Sequence, residues 1–359
     1  MMPRLGLSAS LLALAFAAGL AGAAEAPKRG KAGALAGSLP AAPHTEVPAE
    51  LAPRPHSFAP PRDIALTTAS QPTDLAAASD GAIWFPASAL GALGRLDRAT
   101  GEVRYFPLGT GARPYAIAEA PDRSILASDR GLNVIHRLNP ETGEASRIAM
   151  PPELPFLDLA GLRVDANGRV WFVGASGWLG SHDLATGVTD VTSHDDLQGL
   201  ALGASAPGGP VCFIAWKSGR MILIDPSRAR FSSAALPPGQ SGARGVAIGP
   251  RGEIWVAFMK TQTIARINGR GTWTIARLPW AESRPQALAV RADGSVLIAD
   301  AGRRALVRYR PDLDRFDEVG ELGPGGNIKA MLDLGDAVLV ADMGGDRLRL
   351  FPDAGAIGQ

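Results

Sequence analysis

A two-residue turn recurs seven times along the chain: Asp80-Gly81, Asp122-Arg123, Asn167-Gly168, Gly208-Gly209, Arg251-Gly252, Asp293-Gly294 and Gly335-Asp336. The steps between successive copies are 42, 45, 41, 43, 42 and 42 residues. A period in the low forties that holds several short strands is that of a β-propeller blade. One such unit cannot bury its apolar faces alone, so the repeat demands a ring of neighbours. The expected fold is all-β, a seven-bladed β-propeller over residues 62–359.

The first blade shows how the text builds strands. Leu75 to Ala78 forms an inner strand, and the turn at Asp80-Gly81 calls for positive φ at both central residues. Ala82 to Phe85, Leu93 to Leu96 and Val103 to Leu108 follow as second, third and outer strands. Inner strands elsewhere are rich in Ala and Gly, as crowding round a central channel requires. The in-register aromatics Trp84-Phe85, Trp171-Phe172 and the lone Trp255 read as packing between blades. The last repeat has room for three strands only, so an orphan strand, Arg62 to Thr68, is expected to complete it and close the ring.

Upstream of the ring the composition changes. Leu11 to Ala24 is a short apolar run after Arg4, followed by small residues. It reads as a signal peptide over residues 1–24, too short for a membrane span. Residues 25–61 are rich in Pro and Ala without periodicity and read as a disordered linker. The protein is therefore expected to be periplasmic or secreted. A net charge of +1 with no block of like charge argues against a nucleic-acid face. Cys212, the single cysteine, excludes an intrachain disulfide. The chain is expected to be a monomer.

The blade text Pro114-Tyr115-Ala116-Ile117, Asp80-Gly81-Ala82-Ile83-Trp84-Phe85, Leu93-Gly94-Arg95-Leu96 and Thr100-Gly101-Glu102 resembles the virginiamycin B lyase (streptogramin lyase) family. Leu126 to Asp129, Leu297 to Asp300 and Leu339 to Asp342 lean towards the related NHL and SMP-30/gluconolactonase-like style. The resemblance spans roughly residues 62–352. It implies a seven-bladed carbon–oxygen lyase that opens a cyclic depsipeptide without water. It also implies a histidine base and acid in the last two blades, a glutamate near the end of a second strand, and Mg²⁺ to hold the developing enolate. At the matching positions this chain has Gln286 and Lys329 for the histidines, with a carboxylate nearby at Asp342.

The residues that begin the inner strands are expected to face one mouth of the channel. They read Thr73, Tyr115, Leu157-Asp158, Gln198, Arg244, Gln286 and Lys329. Tyr115, Gln198, Arg244, Gln286 and Lys329 are the candidate ligand-binding set, suited to an anionic or carbonyl-rich small molecule. Lys329 and Asp342 are the candidate catalytic pair, with Lys329 as base. Asp129, Asp300 and Asp342 occupy equivalent positions, and each either ties down the loop that follows or contributes to a metal site. Trp216 stacks on a ligand or packs in the core. His194 stands in the loop before the fourth blade, within reach of the rim. Two functions follow: an exported propeller that binds a small molecule or protein at the channel mouth, its family histidines replaced, or an active C–O lyase or lactone-opening enzyme with a rearranged, Mg²⁺-dependent site.

Overall fold

The computed structural model describes residues 58–193, 195–205, 209–226, 230–268 and 271–354. The signal peptide and almost all of the linker expected from the sequence lie outside the described residues. The rest forms seven four-stranded antiparallel sheets, each a meander running from an inner to an outer strand. The inner strands of blades 2 to 7 are Pro114–Glu119, Leu159–Val164, Leu200–Ser205, Ala243–Ile248, Pro285–Val290 and Ile328–Asp333. Blade 1 pairs Ala76–Ala77 with Ile83–Ala87. No helix among the described residues is long and apolar enough to cross a membrane.

The seventh sheet is completed from the other end of the chain. Arg62–Ala65 pairs with Arg347–Pro352 as its fourth strand, with Ile64 opposite Leu348. The expected closure is present, and it reaches beyond that strand. Phe58 bridges to Asp353, Leu66 donates its N–H to the Asp346 carbonyl, and the Asp346 carboxylate accepts from the Ala69 and Gln71 N–H groups.

The core lies between blades because strand residues alternate in facing. Trp84 packs among Ile117, Ile125 and Ala127 of blade 2, whereas Phe85 packs among Leu339, Ala341 and Leu348 of blade 7. Trp171 and Phe172 divide in the same way between blades 4 and 2. Each such phenylalanine faces a glycine on the third strand: Phe85 opposite Gly94, Phe172 opposite Gly180. A Cβ at either glycine would overlap the ring. Blade 5 makes the reverse choice, Val256 opposite Ala265. We expect Gly94→Ala to cost about 1–3 kcal/mol by overpacking, and Phe85→Leu in the same chain to recover part of it. Urea unfolding of both variants checks this, and an unchanged midpoint for Gly94→Ala refutes it.

The recurrent turn differs in type from the expectation. Only Gly81 has positive φ, at +83°. Its N–H returns to the Ala78 carbonyl, and the Ala78 N–H reaches the Ala82 carbonyl. This is a type I turn closed by a left-handed residue, so one position carries the conformational demand. Arg123 meets that demand without being glycine, at φ +67°.

Candidate functional site

A backbone irregularity builds the mouth. In blades 2 to 7 the pairing of inner with second strand slips by one residue, and the extra residue is Tyr115, Ala160, Ala201, Arg244, Gln286 or Lys329 in turn. A bulge re-aims the side chain it carries and is common beside functional sites. A second repeat fixes the register independently. Two residues before each bulge a carbonyl accepts an N–H from the residue that follows the second strand: Arg113 from Arg130, Asp158 from Ala175, Gly199 from Trp216, Gly242 from Met259, Arg284 from Ala301 and Asn327 from Met343. In blade 1 the Gln71 carbonyl accepts from Ser88, which puts Thr73 at the bulge position.

This register places Tyr115, Arg244, Gln286 and Lys329 at equivalent points, as expected. It corrects two blades. In blade 3 the bulge falls at Ala160 and not at Leu157-Asp158; in blade 4 it falls at Ala201 and not at Gln198. Neither blade has the proline that precedes the bulge position in blades 1, 2 and 6, namely Pro72, Pro114 and Pro285. In blade 4 a short 3₁₀ turn, Asp195–Leu197, and Gly199 at φ +79° come before the strand. Gln198 donates its side-chain amide to the Ser176 carbonyl at 3.1 Å.

Two of the bulge residues bind neighbouring blades together. The Thr73 hydroxyl donates to the Tyr115 carbonyl at 2.6 Å, and Gln286 Oε1 accepts from the Ile328 N–H at 2.7 Å. Both are buried, so their polar atoms are engaged in closing the ring.

The remaining polar three, Tyr115, Arg244 and Lys329, are linked through Arg244. Burial pushes the Tyr115 phenol above its ordinary 10.0, against the pull of Arg130 and Arg244. Burial lowers the affinity of the Lys329 amine for its proton, and the charges of Arg244 and Arg130 lower it further. Tyr115, Arg130, Arg244 and Lys329, from blades 2, 5 and 7, therefore share one electrostatic neighbourhood. Arg130 was not among the sequence candidates. It follows Asp129 at the end of a second strand, grips Asp158 with two bonds of 2.6 and 2.7 Å, and stacks 5.0 Å above the Tyr115 ring. Among the described residues no carboxylate forms an ion pair with Arg244 or Lys329.

The depressed Lys329 affinity has a consequence for stability. Between the lowered value in the folded protein and the ordinary 10.5, the unfolded chain holds the proton and the folded one does not. Stability therefore rises with pH through that window. We expect Lys329→Met to stabilise the protein at neutral pH and the gain to shrink as pH approaches 10.5. Denaturant titrations at both ends of the window read it; a gain independent of pH removes the assignment.

Asp342 stands opposite Ile328, beside the bulge that carries Lys329, but its carboxylate is engaged by other groups. It is 2% exposed, accepts from the Gly345 N–H and pairs with Arg347 at 3.0 Å. Asp129 accepts from Arg113, Gly131 and Leu132 N–H groups and from His136, and Asp300 accepts from Arg284 and Gly302. All three carboxylates tie down loops. Beside the cations of the mouth stand the Asp74 and Asp158 carboxylates, each engaged by an arginine, and no group of three His, Cys, Asp or Glu residues among the described residues is arranged to hold a metal ion. The Mg²⁺ implied by the resemblance does not fit these side chains. Trp216 is 49% exposed at the rim with the Lys217 ammonium 5.6 Å from its ring. His194 lies outside the described residues. Two surface cavities of about 740 and 440 Å³ lie elsewhere, lined by residues such as Arg137 and Glu141, or Arg304 and Glu318.

Fold and mouth together define a closed seven-bladed propeller with a cationic rim. No family model matches the chain, and no curated protein matches it. Among solved structures it is similar to virginiamycin B lyase from Staphylococcus aureus, with a TM-score of 0.73 at 17% identity over 82% of this chain and 99% of that one. It is similar to a catalytically inactive variant of the same enzyme with quinupristin, with a TM-score of 0.72 at 17% identity over 82% and 99% of the two chains. YCF48 bound to D1 peptide has a TM-score of 0.67 at 13% identity over 84% and 99%. The likeness establishes the shared propeller fold.

Proposed function

We propose that this is an exported propeller that binds a small anionic ligand at the mouth formed by Tyr115, Arg130, Arg244 and Lys329. One observation carries the reading: Arg244 and Lys329 converge on one neighbourhood without a carboxylate partner. Cations placed together repel, and Lys329, half-buried without a partner beside the exposed Arg244, is held at a cost. A bound carboxylate relieves both costs. Arg130 is already neutralised by Asp158, so it holds Tyr115 in place and leaves the ligand to the other two. Export is supported by the signal-peptide pattern before residue 25.

The lyase reading has less support from the residues. Gln286, at one histidine position, accepts from the Ile328 N–H through its amide oxygen, and the Asp342 carboxylate is buried against Arg347. The fold neighbours include one structure with quinupristin and one with a peptide, which is consistent with a mouth that receives ligands.

The test is calorimetric titration with small carboxylates, lactate and benzoate, against matched amines. Carboxylates should bind and amines should not. Each charge-assisted contact contributes roughly 1.5–3 kcal/mol, so Arg244→Ala should weaken binding by about tenfold to a hundredfold. Equal heats from carboxylates and amines, or an unaffected Arg244→Ala, overturn the reading.

A further inference from the structure

We propose that Lys329 forms an imine with the carbonyl carbon of a 2-oxo acid whose carboxylate rests on Arg244. The proposal depends on the anion-binding reading of the mouth and adds a covalent step to it.

The first observation is where the chain uses lysine. Of 36 basic residues only Lys28, Lys31, Lys217, Lys260 and Lys329 are lysines. The first two precede the propeller. The other three all stand at the same mouth: Lys217 and Lys260 two residues beyond the ends of equivalent second strands, Lys329 on a bulge. Everywhere else in the ring arginine serves as the cation. Arginine suffices for pairing with carboxylates, but it cannot act as a nucleophilic amine, whereas lysine can. A ring built with arginine that keeps lysine only at its mouth has a use for amines there.

The second observation is geometric. Lys329 is half-buried, set on the backbone bulge of blade 7, and lacks an acidic partner among the described residues. An amine in an ion pair must stay protonated; this one is released from that duty. Burial and the neighbouring guanidinium charges act in the same direction, towards the neutral nucleophilic form.

The third is the set of groups around it. Arg244 offers an uncommitted guanidinium suited to a carboxylate. Tyr115 keeps its proton well into the alkaline range and so is available as a donor. In the step, the Lys329 nitrogen lone pair attacks the carbonyl carbon. A proton passes from nitrogen to the new alkoxide and gives a carbinolamine. Protonation of its hydroxyl, the role assigned to the Tyr115 phenol, expels water and leaves the C=N bond; nitrogen gives up its second proton and the phenol is restored. Nothing is oxidised or reduced. The carboxylate also offsets the positive charge that the protonated imine would add beside Arg244, which selects an oxo acid over a neutral aldehyde.

The experiment uses glyoxylate with cyanoborohydride, which supplies hydride to the imine and fixes it as carboxymethyl-lysine, followed by peptide mapping. Formaldehyde, which has no carboxylate, is the control. We expect glyoxylate to label Lys329 at least about tenfold faster than Lys217 or Lys260. Arg244→Ala should abolish that preference while formaldehyde still labels Lys329. Lys329→Arg should lose the label, whereas Lys217→Arg and Lys260→Arg, outside the proposed site, should keep it. Labelling of Lys329 no faster than the other two lysines, or a glyoxylate preference unchanged in Arg244→Ala, overturns the imine. If lactate binds by calorimetry but Lys329 stays unlabelled, the covalent step falls and the anion site stands. If neither occurs, both fall.

Discussion

A chain lacking residues 57–70 is expected to melt about 10 °C below the full propeller and to aggregate as it does so. The segment supplies the fourth strand of blade 7 through Arg62–Ala65. It buries Ile64 between blades 7 and 1 with Leu66 against the same cluster, and sets Phe58 edge-on to Phe351 at 6.1 Å between centroids. Fully burying such a side chain stabilises by about 1.5–3 kcal/mol, and these three, two of them partly exposed, amount to roughly 4 kcal/mol. Polar contacts go as well. Asp63 pairs with Arg349 at 2.7 Å, Tyr105 Oη accepts from the Thr67 N–H, and Asp346 loses both backbone donors. In a domain of this size each kcal/mol shifts the midpoint by about 2–4 °C. The loss also uncovers the edge of Arg347–Pro352, a row of unpaired backbone groups that invites pairing with another chain. Scanning calorimetry with light scattering tests both parts. A deletion with an unchanged melting curve would show that ring closure lies elsewhere.

The propeller could be read from the chain because its determinants are local and repeated. Each Trp-Phe pair specifies both neighbours by alternation, each described short turn needs one left-handed residue, and the missing fourth strand of the last repeat called for Arg62 onward. The mouth was legible where a marker sits in the text and, at Arg244 of blade 5, from the repeat spacing alone. Pro114, Pro285 and the run Asn327-Ile328 fixed the positions of Tyr115, Gln286 and Lys329. In blades 3 and 4 no proline marks the strand start, and the reading landed on Leu157-Asp158 and Gln198 where the bulges carry Ala160 and Ala201. Pairings between blades left no trace. Arg130 with Asp158, 28 residues apart, and Asp74 with Arg163, 89 apart, depend on which side chains the ring brings face to face. Periodicity tells which positions are equivalent; it does not tell which exceptions meet.

The Asp74–Arg163 pair carries the second large effect: Arg163→Ala should destabilise the protein by about 2–4 kcal/mol, below the full value for a buried pair because both side chains keep some exposure. Asp74 follows the bulge position of blade 1, and Arg163 lies on the inner strand of blade 3. The guanidinium meets the carboxylate at 2.7 and 3.3 Å and also donates to the Gly203 carbonyl of blade 4 at 2.6 Å. Asp74 in turn accepts from the Ile117 N–H of blade 2 at 3.1 Å. One pair thus ties the inner strands of four consecutive blades just below the mouth. Side-chain exposures of 17% and 12% put it largely out of water, where an uncompensated carboxylate is expensive. Removing Arg163 leaves Asp74 with that cost and orphans the Gly203 carbonyl. Replacing both, Arg163→Met with Asp74→Asn, removes the charge and should recover much of the loss, since a buried pair contributes less than its broken half costs. The cycle of single and double variants in urea isolates the coupling. Additive losses would mean that the two side chains contribute independently and that the ring does not need their pairing. The same cycle reads the site above it: if the inner strands of blades 1 to 4 are held by this pair, Arg163→Ala loosens Tyr115, whose carbonyl is fastened to Thr73 one residue before Asp74, and anion binding at the mouth weakens with it.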